Sequence, residues 1–223
     1  MPKTYFTPDV FVFLKQLKRN NRREWFLKNK ARFEEVARQP CLAFIGDVAF
    51  RLRPISTWLV ADRKPNGGSL LRIYRDIRFS SDKTPYKTNL GMHFPHAGSR
   101  DEVHGPSIYF HIEPGASFIA GGCWRPDKRS LAKIRDSIAW NAADWKKATR
   151  GLKLGGSSLT RPPRGYCADH PMIEDIKRTD FTALIEFTEE QVCSPRFLED
   201  FTKAARKLRP LLAFLAKAEG MQF

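Results

Sequence analysis

Leu71-Arg-Ile-Tyr-Arg-Asp-Ile-Arg-Phe-Ser-Ser-Asp-Lys-Thr-Pro-Tyr-Lys-Thr-Asn-Leu-Gly-Met-His-Phe-Pro-His96 decides how this chain is read. Its first third alternates Ile73, Arg75, Ile77 and Phe79 with Arg72, Tyr74, Asp76 and Arg78, which is the two-residue period of a strand. Its last third alternates Leu90, Met92 and Phe94 with Gly91 and His93. Between them, Ser80 to Lys87 reads as a polar turn. The period continues downstream, where Ile108, Phe110 and Ile112 alternate with Tyr109, His111 and Glu113. A further strand, Ser117 to Trp124, follows the Pro114-Gly115 turn. Connections this short favour antiparallel pairing.

The alternation sorts chemistry onto two faces. Arg75 falls among Ile73, Ile77 and Phe79, where a guanidinium needs either a carboxylate partner or an anionic ligand. If the strands pair in order, Arg72, Tyr74, Asp76 and Arg78 come beside His93, Tyr109, His111 and Glu113. Such a face suits general acid–base chemistry or a His/carboxylate metal site, and equally a plain solvated sheet face. That register is an assumption, since a slip of one residue would dismantle the cluster. The turn adds Ser80, Lys83, Tyr86 and Lys87, hydroxyls and cations that suit phosphate oxygens without the glycine spacing of a P-loop.

The remainder reads mainly as helices. Thr7-Pro8-Asp9 carries the start signals of a first helix, with Phe11, Leu14 and Leu17 on one face. A second is expected over 23–38 and a third from Pro40 to Pro54. Trp124-Arg-Pro-Asp127 opens another, with Leu131, Ile134, Ile138 and Trp145 on one face. Residues 150–166 form a Gly-, Ser- and Pro-rich connector, and 181–188 one more strand. The last helix follows Ser194-Pro195, and Pro210 is expected to kink it. His170, in Tyr166-Cys-Ala-Asp-His-Pro171, could act as a base over the sheet or simply cap the helix after it. The expected fold is α+β: one domain over 1–223, with a central, mostly antiparallel sheet packed against N-terminal and C-terminal helices.

Lys and Arg number 39 against 24 Asp and Glu, a net charge of +15, which favours polyanionic or phosphorylated partners. The four cysteines are scattered without a Cys-x-x-Cys pair, so reduced thiols are expected and an all-cysteine zinc site is not. No signal peptide and no apolar run of membrane-spanning length is read, so the expected location is cytoplasmic.

Arg75-Asp-Ile-Arg-Phe-Ser-x-Asp-Lys-Thr-Pro-Tyr-Lys-Thr-Asn89 resembles the signature of the bacterial and fungal family called domain of unknown function 2461. Further matching pieces are Asn21 with Glu24-Trp25-Phe26, Ala120-Gly121-Gly122 with Pro126, and Gly165-Tyr166 with Asp169-His170-Pro171. Ser81 stands where the family pattern is expected to have a lysine. The resemblance implies a single α+β domain and carries no activity with it.

Three readings remain. The first is binding of an anion, either nucleic-acid phosphate or a phosphorylated small molecule, by Arg72, Arg75, Arg78, Ser80, Lys83, Tyr86 and Lys87. The second is a phosphoester hydrolase using Asp76, His93, His111, Glu113 and His170, with no cofactor expected. The third is a structural or interaction protein without a small ligand.

Overall fold

Apolar side chains three and four residues apart give the first helix, α1 (Pro8–Arg19), an inward face of Val10, Phe11, Phe13, Leu14 and Leu17. The computed structural model that places them describes residues 3–99 and 105–223. Thr7 has the extended backbone of a cap, but its hydroxyl meets the Asp9 carboxylate at 3.4 Å and not a helix N–H. The expected hydroxyl cap is therefore not made.

The single helix expected over 23–38 is interrupted. α2 (Arg23–Lys28) stops at Asn29, whose side-chain amide donates to the Trp25 carbonyl at 2.9 Å. α3 (Lys30–Phe33) restarts, and Glu34–Arg38 forms a wider π turn that leads directly into α4 (Gln39–Leu52). Pro40 accounts for the wide turn. It has no N–H, and its ring would meet the carbonyl four residues back, so a locally widened turn passes the chain through without ending the helix.

Among the described residues, five strands form one sheet in the order β1 (Leu90–Pro95), β2 (Ser107–Ile112), β3 (Ser117–Cys123), β5 (Phe181–Phe187), β4 (Leu154–Gly155), and every neighbouring pair is antiparallel. The fold is α+β. The Pro114-Gly115 turn closes the β2–β3 hairpin as read, with Gly115 at a φ of 74°. On the buried face, Phe110 meets Phe44, Phe197 and Phe201 with ring centroids 5.3–5.5 Å apart. Each fully buried ring of this kind contributes roughly 1.5–3 kcal/mol relative to exposure.

α5 (Lys128–Trp140) is capped by Asp127, which accepts from the Ser130 N–H at 2.7 Å. Asn141 ends it, so Trp145 lies on a separate helix, α6 (Ala142–Thr149), and not on the face of Ile134 and Ile138. The short α7 (Ile173–Ile176) precedes β5. A capping box of Thr188 and Gln191 starts α8 (Glu189–Cys193). α9 (Phe197–Ala218) continues as helix across Pro210, which stays on its exposed side.

Two glycines let the helices and strands close up. A β-carbon on Gly121 would stand 3.1 Å from the Leu208 β-carbon of α9, and one on Gly122 would stand 1.9 Å from the Phe181 carbonyl oxygen. Gly122 also sits at a φ of 140°, which side-chain-bearing residues rarely adopt. The Ala120-Gly121-Gly122 piece is thus explained by close approach.

The strand expected over 73–79 is not formed. Residues 69–71 run along β1, with Leu71 N–H to Gly91 O at 2.9 Å and His93 N–H to Ser69 O at 2.8 Å. The chain then turns away into an irregular hairpin, paired through Tyr74 and Tyr86 and tied by Arg75 N–H to Pro85 O and Lys87 N–H to Ile73 O. Phe79, expected beside Ile73 on one apolar face, is 96% exposed.

Candidate functional site

The Arg75 guanidinium is satisfied inside the hairpin. It pairs with the Asp82 carboxylate, reaches the Thr84 hydroxyl, and lies 3.4 Å from the Ser80 hydroxyl. Donation from Arg75 holds the Asp82 carboxyl at about 2. Arg78 grips Asp76 through Nε at 3.0 Å and Nη2 at 2.7 Å, and that donation likewise holds Asp76 at about 2. Lys83 donates to the Ile77 carbonyl at 3.0 Å. Much of the positive charge counted in this stretch is therefore used to shape it.

The hairpin is held to the helices at its base. The Asn21 side chain makes a reciprocal pair with the Tyr86 backbone, donating to its carbonyl at 2.9 Å and accepting from its N–H at 3.1 Å. The buried Tyr86 ring stacks on Phe26 with centroids 4.1 Å apart. Burial and the neighbouring Tyr74 raise the Tyr86 hydroxyl above its ordinary range.

Two of the hairpin's cations have neither an ion pair nor a side-chain hydrogen bond among the described residues. Arg72 and Lys87 have no carboxylate in salt-bridge contact among the described residues. Burial, and then the charge of Arg72, lowers the Lys87 ammonium below its ordinary range. Arg72 also lines a cleft of about 420 Å³ between α2, α3, the π turn and residues 65–74. Arg38 walls one end, held by Glu34 at 3.1 Å, the Pro65 carbonyl at 3.0 Å and the Asn66 side chain at 3.3 Å.

A second polar group lies on the sheet face away from the helices. β1 and β2 pair in order, with His93 opposite Tyr109 and Gly91 opposite His111. His111 Nε2 lies 3.0 Å from a Glu113 carboxylate oxygen, and its Nδ1 lies 3.1 Å from the Tyr109 hydroxyl and 3.3 Å from the Asn89 amide. These partners suit the neutral ring with its proton on Nε2, donating to Glu113 and accepting from Tyr109 and Asn89. The ring stacks on Phe118 with centroids 4.7 Å apart. Burial raises the Tyr109 hydroxyl to about 12, and burial lowers His93 below its ordinary value.

The expected constellation is divided. His111, Glu113 and Tyr109 are joined, and His93 is across the strand pair. Asp76 is engaged by Arg78 in the exposed hairpin. His170 accepts from the Met172 N–H at 3.1 Å and so shapes the turn before α7. Its neighbour Tyr166 donates to Asp136 at 2.7 Å. Cys167 is an exposed free thiol, while Cys41 and Cys123 are buried. Among the described residues, no group of three or more His, Cys, Asp or Glu side chains is arranged to hold a metal ion. No helix among them is long and apolar enough to cross a membrane.

The sequence reading did not single out Lys30, Arg38 or Asn89 as site residues. Asn21 was part of the resemblance, but its contact with Tyr86 was not foreseen.

These features define an α+β protein whose antiparallel sheet carries helices on one face and a self-paired basic hairpin at its first edge. The chain belongs to the family described as Conserved hypothetical protein (DUF2461), which matches residues 9–214. No curated protein and no solved structure matches it.

Proposed function

We propose that the protein binds a phosphate-bearing anion at Arg72 and Lys87. The observation that carries this reading is that the other hairpin cations make side-chain hydrogen bonds or ion pairs within the hairpin, whereas among the described residues these two adjacent ones make none, Arg72 acting on Asp76 only at longer range. Holding like charges together without a counter-ion in contact is unfavourable, and an anion between them removes the repulsion. Arg75, Arg78, Ser80, Lys83 and Tyr86 then position the site and need not touch the ligand. The net charge of +15 would draw such a ligand in from a distance.

Fluorescence anisotropy with a labelled single-stranded oligonucleotide, repeated across salt concentrations, tests this. Binding should weaken linearly in log–log form, and the doubly substituted Arg72→Gln, Lys87→Gln protein should show a shallower slope. No binding at low salt, or a slope unchanged by the double substitution, would overturn the assignment.

A second reading rests on the Glu113–His111–Tyr109 chain. A carboxylate orienting an imidazole that accepts from a phenol is an acid–base arrangement. In this hydrolase reading, Asp76 and His170 have no part. Phosphodiester turnover that survives His111→Gln and Tyr109→Phe in folded protein would exclude it.

A further inference from the structure

The cleft beside Arg72 has a composition that phosphate alone does not use. Its floor is apolar, made by Phe26, Phe33, Ile73 and Leu90, all buried. At its rim are Lys30 and Arg72, both exposed and without an ion pair among the described residues, and Tyr74, which is 52% exposed. The Tyr74 ring is supported from behind, with Tyr86 at 5.3 Å and Phe26 at 6.3 Å between centroids. Glu34 is neutralised by Arg38 at 3.1 Å, so the two remaining rim charges are both positive. The wall is the π turn, a backbone feature found disproportionately at functional sites. A volume of about 420 Å³ suits one ring system with its substituents.

The geometry points to a nucleotide unit as the occupant: the base lies over the apolar floor against Tyr74, and its phosphate reaches Arg72, the cation this cleft shares with the site proposed above, with Lys30 as an additional rim cation. An aromatic ring beside two unpaired cations is the combination that binds bases by stacking and their backbone by charge. This rests on the phosphate-binding reading above and adds the requirement for a planar ring. The ring can come from a free nucleotide or from a single strand, because both present the same base and phosphate.

The test compares inorganic phosphate, ribose phosphate, adenosine monophosphate and a short adenylate oligonucleotide by calorimetry on the whole chain. Adenosine monophosphate should bind roughly tenfold tighter than ribose phosphate, the gain expected from one stacked base. Tyr74→Ala, with its fold checked by thermal unfolding, and the ring-keeping Tyr74→Phe as its control, should respectively erase and preserve that difference. Lys30→Gln should weaken both ligands by the same factor. Equal affinity for the two overturns the base-binding inference while leaving phosphate binding intact. Absence of binding by every probe overturns both. If base dependence holds, a further gain for the oligonucleotide identifies a strand as the source, and equal affinity identifies the free nucleotide.

Discussion

Asn21 is the position at which the hairpin can be loosened without touching its charges. Asn21→Ala removes two hydrogen bonds, at 2.9 and 3.1 Å, and leaves the backbone N–H and C=O of buried Tyr86 without those partners. A hydrogen bond contributes about 0.5–1.5 kcal/mol, so the pair amounts to about 2 kcal/mol before any added penalty for the stranded groups. For a chain of this size, that corresponds to a fall of about 4–8 °C in Tm. Thermal unfolding measures the fall, and amide exchange should accelerate at Tyr86. Asn21→Asp is the discriminating variant. It keeps the acceptor but replaces the donor with an oxygen facing the Tyr86 carbonyl, so it should cost at least as much as alanine. A Tm within about 1 °C of the parent for Asn21→Ala, with Tyr86 exchange unchanged, would refute the clamp.

Gly122→Ala should be severely destabilising, by about 3 kcal/mol or more, because unfavourable backbone is added to a clash with the Phe181 carbonyl; yield and urea unfolding report it. A parent-like urea midpoint would contradict the close approach. Asp76 and Asp82 should titrate near 2 by carbon NMR of their carboxyls, against an ordinary value of 3.8. Their folded values are depressed, so the stability they contribute is present above the ordinary value and is lost as pH falls through about 2. Midpoints near 3.8 would mean that the ion pairs with Arg78 and Arg75 do not persist in solution. His93 has the same sign for a different reason. Burial depresses it, so stability should decline as pH falls below about 6.5, and His93→Gln should flatten that part of the curve.

The strands from Leu90 onward were legible because each buries one face, and a two-residue period has no other economical explanation there. The same period misled at 73–79. There the side chains pair with each other, Asp76 with Arg78 and Arg75 with Asp82, and the backbone turns to allow it. Local charge pairing took precedence over the ladder, and alternation alone carries no information about that contest. His111 and Glu113 were legible together because residues two apart on an extended chain share a face. Whether Asp76 or His170 would join them depended on contacts between distant segments. The π turn was concealed by Pro40, which reads as a helix start and here widens a helix that continues.

The two outer edges of the sheet differ in how they meet other molecules. Along β1, residues 60 and 69–71 already occupy backbone positions that another chain would need. Along β5, β4 covers only Thr182 and Ala183, so Leu184 to Phe187 lack a strand on that side among the described residues. That short stretch includes Glu186 and is followed by Glu190, while Glu189 is paired with Lys15 at 3.2 Å. Acidic side chains there would stand against those of a second copy added antiparallel, which disfavours growth of the sheet from one molecule into the next. A Glu186→Val substitution would remove one of those guards, and self-association on storage is where its loss would first become visible.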